Sequence, residues 1–502
     1  MPTFHLLNFG CRASQADGAS IKLQLLTSGL AETSRAEDCQ IAVLNTCTVT
    51  SAADAEVRQV IRRIHRSNPQ CRIMVTGCYA QRASREIAEL PGVKWVVGNS
   101  HKHLISEVLR GEEESEVWSR KSEELDSGIG FQDSGDRQDS SLVLIEPGNP
   151  DDHGRHQAAN LRQVSSPEPL IPDRGSRATI LVGEIAEEFH YAPVFPDDMT
   201  RPTLKIQDGC NAQCSFCIIP EVRGPSRSLA PETVISQVQE LERRGYLEIV
   251  LSGINLGSYG KDMDRRLTFL DLLDRILHET SISRIRISSI EPMDVTPELI
   301  RLVAREPRMA RHFHIPLQSG CDRTLRAMNR RYWVSHYAER VAAVHEQIPN
   351  CGIGADVMVG FPGETDEDHR ISVKFMDSLP FTYLHVFPYS SRPGTPAAER
   401  GGHLNGRIIH ERGQEIRDMI RRKRVAFLET QIGLELSAVT LAEEEDGARV
   451  ALSTNYLKLL LPGSDVAPNS LVNVKVGRAC GGVLYGYAGL SPATCSSIEV
   501  HG

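Results

Sequence analysis

Three cysteines within eight residues, Cys210-Asn-Ala-Gln-Cys214-Ser-Phe-Cys217, carry the strongest chemical signal in this 502-residue sequence. A [4Fe–4S] cluster ordinarily takes four thiolates. A C-x3-C-x2-C loop supplies three, which leaves one iron open to bind and activate a second molecule. Two other readings compete. Structural zinc wants four closed ligands, usually as two pairs, but the next cysteine is Cys321 and no C-x2-C partner follows. Plain burial as core cysteines is the third. The spacing favours the cluster.

Three more cysteines gain meaning once the elements around them are placed. Apolar runs at 4–7, 41–44 and 73–75 lead into Cys11, Cys47 and Cys78. Each run is short and bounded by Gly or Asn, as a buried strand would be. Helical patterns separate them, one over 14–28 stopping at Gly29, another from Ser51 as N-cap to before Pro69. Such alternation implies a parallel sheet with helices on its faces, and these sheets bind ligands beyond the carboxyl ends of their strands. Cys11, Cys47 and Cys78 would converge at that edge as a second ligand set. Ordinary buried cysteines are the alternative. Cys39 and Cys71 fall at strand starts, the opposite edge, and read as structural.

Composition sets the frame. Two to four domains are expected for this length, and no apolar run reaches the roughly 18 residues of a membrane span. The first ten residues show no charged n-region or cleavage site of a signal peptide. Twelve cysteines in 502 residues are not the density of a disulfide scaffold, and a reducing cytoplasm suits them. The formal charge of −9 is concentrated: residues 112–200 carry 20 acidic against 7 basic side chains, so the remainder is mildly basic. That remainder is compatible with a nucleic-acid partner. Residues 112–200, rich in Ser, Asp, Glu, Gly and Pro, read as an acidic, disordered linker without chemistry of its own, with the apolar patches at 142–145 and 180–182 as candidates for short local structure.

The sequence thus divides into an α/β domain at 1–111, the linker at 112–200, a second α/β domain at 201–430 and a small β-domain at 431–495. In the second, six strand–helix units with strands at 203–207, 247–252, 284–290, 313–317, 355–359 and 383–387 suggest a partial barrel, open on one side. Cys210 follows its first strand, at the face where barrel enzymes place their sites. A helix over 405–430 carries Arg417, Arg421, Arg422, Lys423 and Arg424, either a solvated face or a phosphate-contacting strip. Short alternating runs from 434 to 487 predict an antiparallel β-barrel, with Tyr456, Lys458, Lys475 and Arg478 as candidate substrate contacts. Cys480 and Cys495 read as incidental.

The cysteine loop, followed by Ile218-Ile219-Pro220 and Arg223-Gly224, resembles the radical S-adenosylmethionine superfamily, and specifically its methylthiotransferases. Asn8-Phe9-Gly10-Cys11, Asn45-Thr46-Cys47-Thr48-Val49-Thr50 and Thr76-Gly77-Cys78-Tyr79-Ala80 are similar to that family's other cluster-binding segments, although Phe9 stands where Leu is usual. The resemblance implies two [4Fe–4S] clusters. One, on Cys210, Cys214 and Cys217, cleaves S-adenosylmethionine to a 5′-deoxyadenosyl radical; the other, on Cys11, Cys47 and Cys78, supplies sulfur. C–H becomes C–S–CH3. It further implies cofactor contacts at Phe216, in the segment Ser252-Gly253-Ile254-Asn255, at Glu291 towards ribose hydroxyls and at Gln318, with Gly360-Phe361-Pro362-Gly363-Glu364-Thr365 on the adenine side. An external electron donor, a tRNA substrate, a terminal RNA-binding (TRAM-like) barrel, a cytoplasmic location and no membrane association are the remaining expectations. Ser252 to Gly260 and Leu384-His385-Val386-Phe387-Pro388-Tyr389-Ser390 look most like the branch acting on threonylcarbamoyladenosine in tRNA. The alternatives are isopentenyladenosine in tRNA, an aspartate of a ribosomal protein, and a non-catalytic iron–sulfur RNA-binding protein.

Overall fold

Strands buried on both faces build the first layer. A computed structural model describes residues 1–110, 178–185, 200–264 and 267–490. The strands β1 (Thr3–Asn8), β2 (Ala31–Glu32), β3 (Ile41–Thr46), β4 (Arg72–Gly77), β5 (Val93–Val97) and β6 (Thr179–Leu181) form a wholly parallel sheet in the order β2-β1-β3-β4-β5-β6. On one face Phe4, Val43 and Trp95 pack with Ile21 and Leu25 of helix Arg12–Thr27. On the other, Leu44 and Val75 pack with Val57, Ile61 and Ile64 of helix Ser51–Ser67. Covering both faces in this way is what an all-parallel sheet requires.

Two expectations need correction here. Thr50, not Ser51, caps the second helix, its hydroxyl accepting from the Ala53 N–H at 3.2 Å. The strand β6 lies within the segment read as linker, yet it pairs with β5 and completes the N-terminal sheet. Its three residues are too short to show a periodicity. Residues 142–145 and Cys495 lie outside the described residues.

The second domain opens with β7 (Thr203–Lys205), then a hairpin of β8 (Gln207–Asp208) and β9 (Arg227–Ser228), and continues with β10 (Glu248–Ser252), β11 (Arg284–Ile287), β12 (His312–His314), β13 (Gly352–Val359) and β14 (Tyr383–Pro388). Two parallel half-sheets, β11-β10-β7 and β12-β13-β14, meet through isolated bridges at Ile285–Met309 and Ser289–His314. Alternation decides what faces where. Leu204, Ile249, Leu251, Ile285, Phe313 and Ile353 enter the core beneath the outer helices. Their neighbours Lys205, Glu248, Arg286, His314, Asp356 and His385 are left for the lumen.

The free edges of this open barrel are β7 and β14, and the N-terminal domain closes the gap. Helix Arg12–Thr27 packs on β7, where buried Asp17 ion-pairs with Lys205 and with Arg223 Nη2 at 3.0 Å. Beyond β14, buried Asp54 takes Arg392 Nη1 at 2.6 Å and Arg82 Nη2 at 2.8 Å. Two carboxylates, one per edge, therefore seat the domain across the opening.

The third unit is a closed antiparallel-rich barrel of β15 (Glu435–Glu445), β16 (Ala448–Ser453), β17 (Lys458–Pro462), β18 (Leu471–Cys480) and β19 (Val483–Leu490), ordered β15-β16-β17-β19-β18. Its loop after β16 seals the amino-end side of the lumen. Arg286 donates to the carbonyls of Ser453 (3.0 Å) and Thr454 (3.1 Å), and a Cβ at Gly352 would collide with Asn455 O.

Candidate functional site

The cysteine loop is held by backbone before its sulfurs can do anything. Gly209 adopts φ +72° against the Pro225 carbonyl, where a Cβ has no space. The Cys210 N–H donates to Gly224 O (3.1 Å), Ser215 N–H to Met328 O (3.0 Å), and Ala397 N–H to Ser215 O (2.8 Å). The loop is thus pinned to the turn at Gly224 and to the segments that follow β12 and β14. Donors point at the sulfurs: Ala212 N–H at Cys210 Sγ (3.4 Å), Asn255 Nδ2 at Cys210 Sγ (3.9 Å) and Arg330 Nη1 at Cys214 Sγ (3.3 Å). Burial raises the Cys210 pKa and pushes that of Cys217 up to about 12. Such thiols lose their protons to a metal centre rather than to neutral water, and N–H donors then stabilise the thiolates.

Gln207 is the organiser that sequence reading missed. It is fully buried, donates through Nε2 to Gly209 O (2.8 Å) and Ser226 Oγ (2.9 Å), and accepts the Asn255 N–H on Oε1 (2.7 Å). A Cβ at Gly253 would lie 2.9 Å from Gln207 Oε1, so the expected close approach there is to this amide. Buried Ser252 precedes it and receives the Ile206 N–H on its carbonyl (2.9 Å). Asn255 Oδ1 and Ser288 Oγ, by contrast, are buried without a partner. Unpaired buried polar atoms cost about 1–3 kcal/mol each, and Asn255, whose Nδ2 lies 3.9 Å from Cys210 Sγ, carries one of them next to the cysteine loop.

Glu291, expected to meet ribose hydroxyls, is ion-paired with Arg330. Burial raises its pKa, and the guanidinium only partly offsets this. Gln318 stands at φ +64°, a conformation rare outside glycine; its N–H donates to Asp356 O (2.8 Å) and its carbonyl accepts the Met358 N–H (2.9 Å). Phe216 packs against Phe361, Met328 and Ala397. Glu364 is tied down structurally, accepting from Gly360 N–H (2.7 Å) and Arg412 Nη1 (2.8 Å).

The second triad forms from three strand ends. Register pairs Asn8 with Asn45 and Thr46 with Gly77, so the residues that follow reach one edge together. Cys47 and Cys78 are buried and Cys11 is exposed. Gly10, at φ +100°, leaves no space for a Cβ beside Cys47, whose Sγ would be 2.9 Å away. Burial, then the neighbouring Cys78 and Cys11, push the Cys47 pKa up to about 12. Asn99 Nδ2 donates to Cys78 Sγ at 3.4 Å.

One short helix, Ile219–Arg223, joins the two triads. It begins directly after the cysteine loop, and Ile218 and Val222 pack on Cys78. Arg223, fully buried, bonds Asp208 Oδ1 (2.9 Å) and Asp17 Oδ2 (3.0 Å). Burial would lower its pKa, but Asp208, Cys78, Asp17 and Cys11 hold it well above the usual value. A permanent buried cation therefore stands near the second triad.

Residues 204–376 match the Radical SAM superfamily, and residues 3–98 match a family described as Uncharacterized protein family UPF0004. The threonylcarbamoyladenosine tRNA methylthiotransferase MtaB of Bacillus subtilis is 33% identical over 95% of this chain and 93% of its own length. This chain belongs to the radical S-adenosylmethionine methylthiotransferases. The Aquifex aeolicus protein named MtaB is 32% identical, covering 90% of this chain and 95% of its own. A tRNA-2-methylthio-N(6)-dimethylallyladenosine synthase of Pelotomaculum thermopropionicum is 28% identical over 89% and 88%. Among solved structures, the radical S-adenosylmethionine methyltransferase TsrM of Kitasatospora setae superposes with a TM-score of 0.53 over 79% of this chain and 77% of that one, at 13% identity. At that identity the likeness concerns the fold alone. No described helix is long and apolar enough to cross a membrane.

Proposed function

We propose that this methylthiotransferase acts on N6-threonylcarbamoyladenosine beside the anticodon of tRNA and converts its C2–H to C2–S–CH3. The observation that supports the reading is the presence of two separate cysteine triads, linked through the helix Ile219–Arg223 that follows one and packs on Cys78 of the other, in a chain that aligns over 95% and 90% of its length with two relatives of that name. The runner-up is the dimethylallyladenosine substrate, named for relatives at 28% identity.

In this reading Cys210, Cys214 and Cys217 would hold a [4Fe–4S] cluster, which with S-adenosylmethionine would supply the radical; Cys11, Cys47 and Cys78 would hold a second, which would supply sulfur, and a second S-adenosylmethionine would supply the methyl group. The chain's own residues position and insulate. Gln207 fixes the Asn255 backbone, leaving Asn255 Oδ1 as an unpaired acceptor beside Cys210. Arg330 keeps Glu291 oriented and donates to Cys214, so Glu291 supports the cofactor through that pair. Gln318 and Phe216 shape the far side. Asp17 and Asp54 seat the N-terminal domain over the gap. An external one-electron donor is required, and a reducing cytoplasm would keep all six thiols available.

The test is mass spectrometry of tRNA nucleosides from a host lacking the modification, complemented with this chain. The expected product is 2-methylthio-N6-threonylcarbamoyladenosine. A methylthio group found only on dimethylallyladenosine selects the runner-up; none on tRNA, from a protein that holds its iron, rejects both.

A further inference from the structure

The lumen carries more positive charge than the fold needs. Arg201, Arg284 and Arg286 surround the single buried carboxylate of Glu248 at 3.4, 3.6 and 2.8 Å. Arg12, the residue after Cys11, has no carboxylate partner among the described residues. Its guanidinium reaches across domains to Tyr456 Oη (3.2 Å), with Gln15 Oε1 at 3.4 Å. Arg12 is half-buried, and an anionic ligand would supply the counter-charge that it lacks. Buried His312 responds to this field: burial, then Arg286, His314 and Arg12, hold its pKa well below the usual range.

The same wall is continuous and aromatic. Tyr456, at φ +67°, sets its ring 4.5 Å from that of His312 and 5.7 Å from that of Tyr383. Tyr383 Oη lies 3.0 Å from His314 Nδ1. His314 Nε2 and His385 Nδ1 both reach Asp356 Oδ1, at 3.1 and 3.2 Å. Asp356 in turn holds Gln318 through its backbone. The wall therefore runs from Arg12, beside one triad, to Gln318, on the cofactor side of the other.

We infer that this wall, with Arg12 as its specificity-determining contact, recognises an anionic substituent on the substrate base. The inference rests on the proposed substrate, whose N6-threonylcarbamoyl group ends in a carboxylate. A neutral dimethylallyl group would leave Arg12 without a counter-charge, and a site built for a polar group rejects an analogue that lacks it. His314, Asp356 and His385 supply the neighbouring hydrogen bonds and Tyr456 the stacking surface.

The experiment compares two tRNA substrates on the purified holoenzyme: one with the free threonylcarbamoyl carboxylate, the other with its neutral methyl ester. A charge-assisted contact predicts that wild type favours the acid in kcat/KM by about 10- to 100-fold. Arg12→Gln should erase that preference and Arg12→Lys restore part of it. Because the ratio is taken within one protein, cluster content cancels. The inference is overturned if wild type treats acid and ester alike, or if Arg12→Gln keeps the full preference. A preference that depends on added zinc and vanishes with chelator would also overturn it, assigning His314, Asp356 and His385 to a metal instead. If wild type modifies neither substrate, the threonylcarbamoyladenosine reading itself has failed.

Discussion

The two cysteine triads are assembled by opposite routes. Cys210, Cys214 and Cys217 share one loop, fixed by backbone hydrogen bonds and a buried glutamine. Cys11, Cys47 and Cys78 are brought together only by the register of three parallel strands. A loop triad depends on local chain geometry. A strand-end triad depends on the whole sheet and on what seats that sheet over the barrel. Remote changes should therefore injure the second triad while sparing the first.

The largest effect expected is that of Cys210→Ala, which should drop reductive cleavage of S-adenosylmethionine to background. Liquid chromatography of 5′-deoxyadenosine checks it. Next comes Gly10→Ala, which forces a side chain into φ +100° against Cys47. Iron should fall towards the complement of one cluster, about four per chain, while S-adenosylmethionine cleavage persists; iron analysis beside 5′-deoxyadenosine yield reads both.

Asp17→Asn should weaken the seat itself. Removing one partner of a buried ion pair costs about 3–5 kcal/mol, measurable by urea unfolding at pH 7. Burial raises the Asp17 pKa, but Lys102, Lys205 and Arg223 outweigh it and hold the carboxyl well below the usual range. Its stabilisation is therefore complete above the unfolded pKa of about 3.9 and is lost as pH falls below it. Wild type should lose more stability than Asp17→Asn on acidification through that window. The smallest effect is that of Thr50→Ala, about 1 kcal/mol from a lost helix cap, read as a shift in urea midpoint.

The same contrast explains what could be read in advance. Three strands of the N-terminal sheet, the six-stranded open barrel and the terminal barrel follow from apolar period and turn residues, and the strand-end convergence of Cys11, Cys47 and Cys78 follows from topology; the short edge strands β2 and β6, and β5, do not. Gln207, Arg330 and Asp17 were invisible because each is a single polar residue whose value lies in a partner distant in sequence. Asp17 sits on a helix without a distinct apolar stripe, so nothing there flags a buried carboxylate. Glu291 was placed at the right strand end, but its partner Arg330 comes from another segment. Thr50 and Ser51 are chemically equivalent caps, and only backbone geometry separates them.

The division of labour between the triads is the central claim, and Cys78→Ala tests it most directly. The measurement is 5′-deoxyadenosine and methylthio nucleoside quantified in one anaerobic reaction with threonylcarbamoylated tRNA. The account predicts that 5′-deoxyadenosine still forms while the methylthio nucleoside is absent. Loss of both products, or a methylthio yield equal to that of wild type, would contradict it.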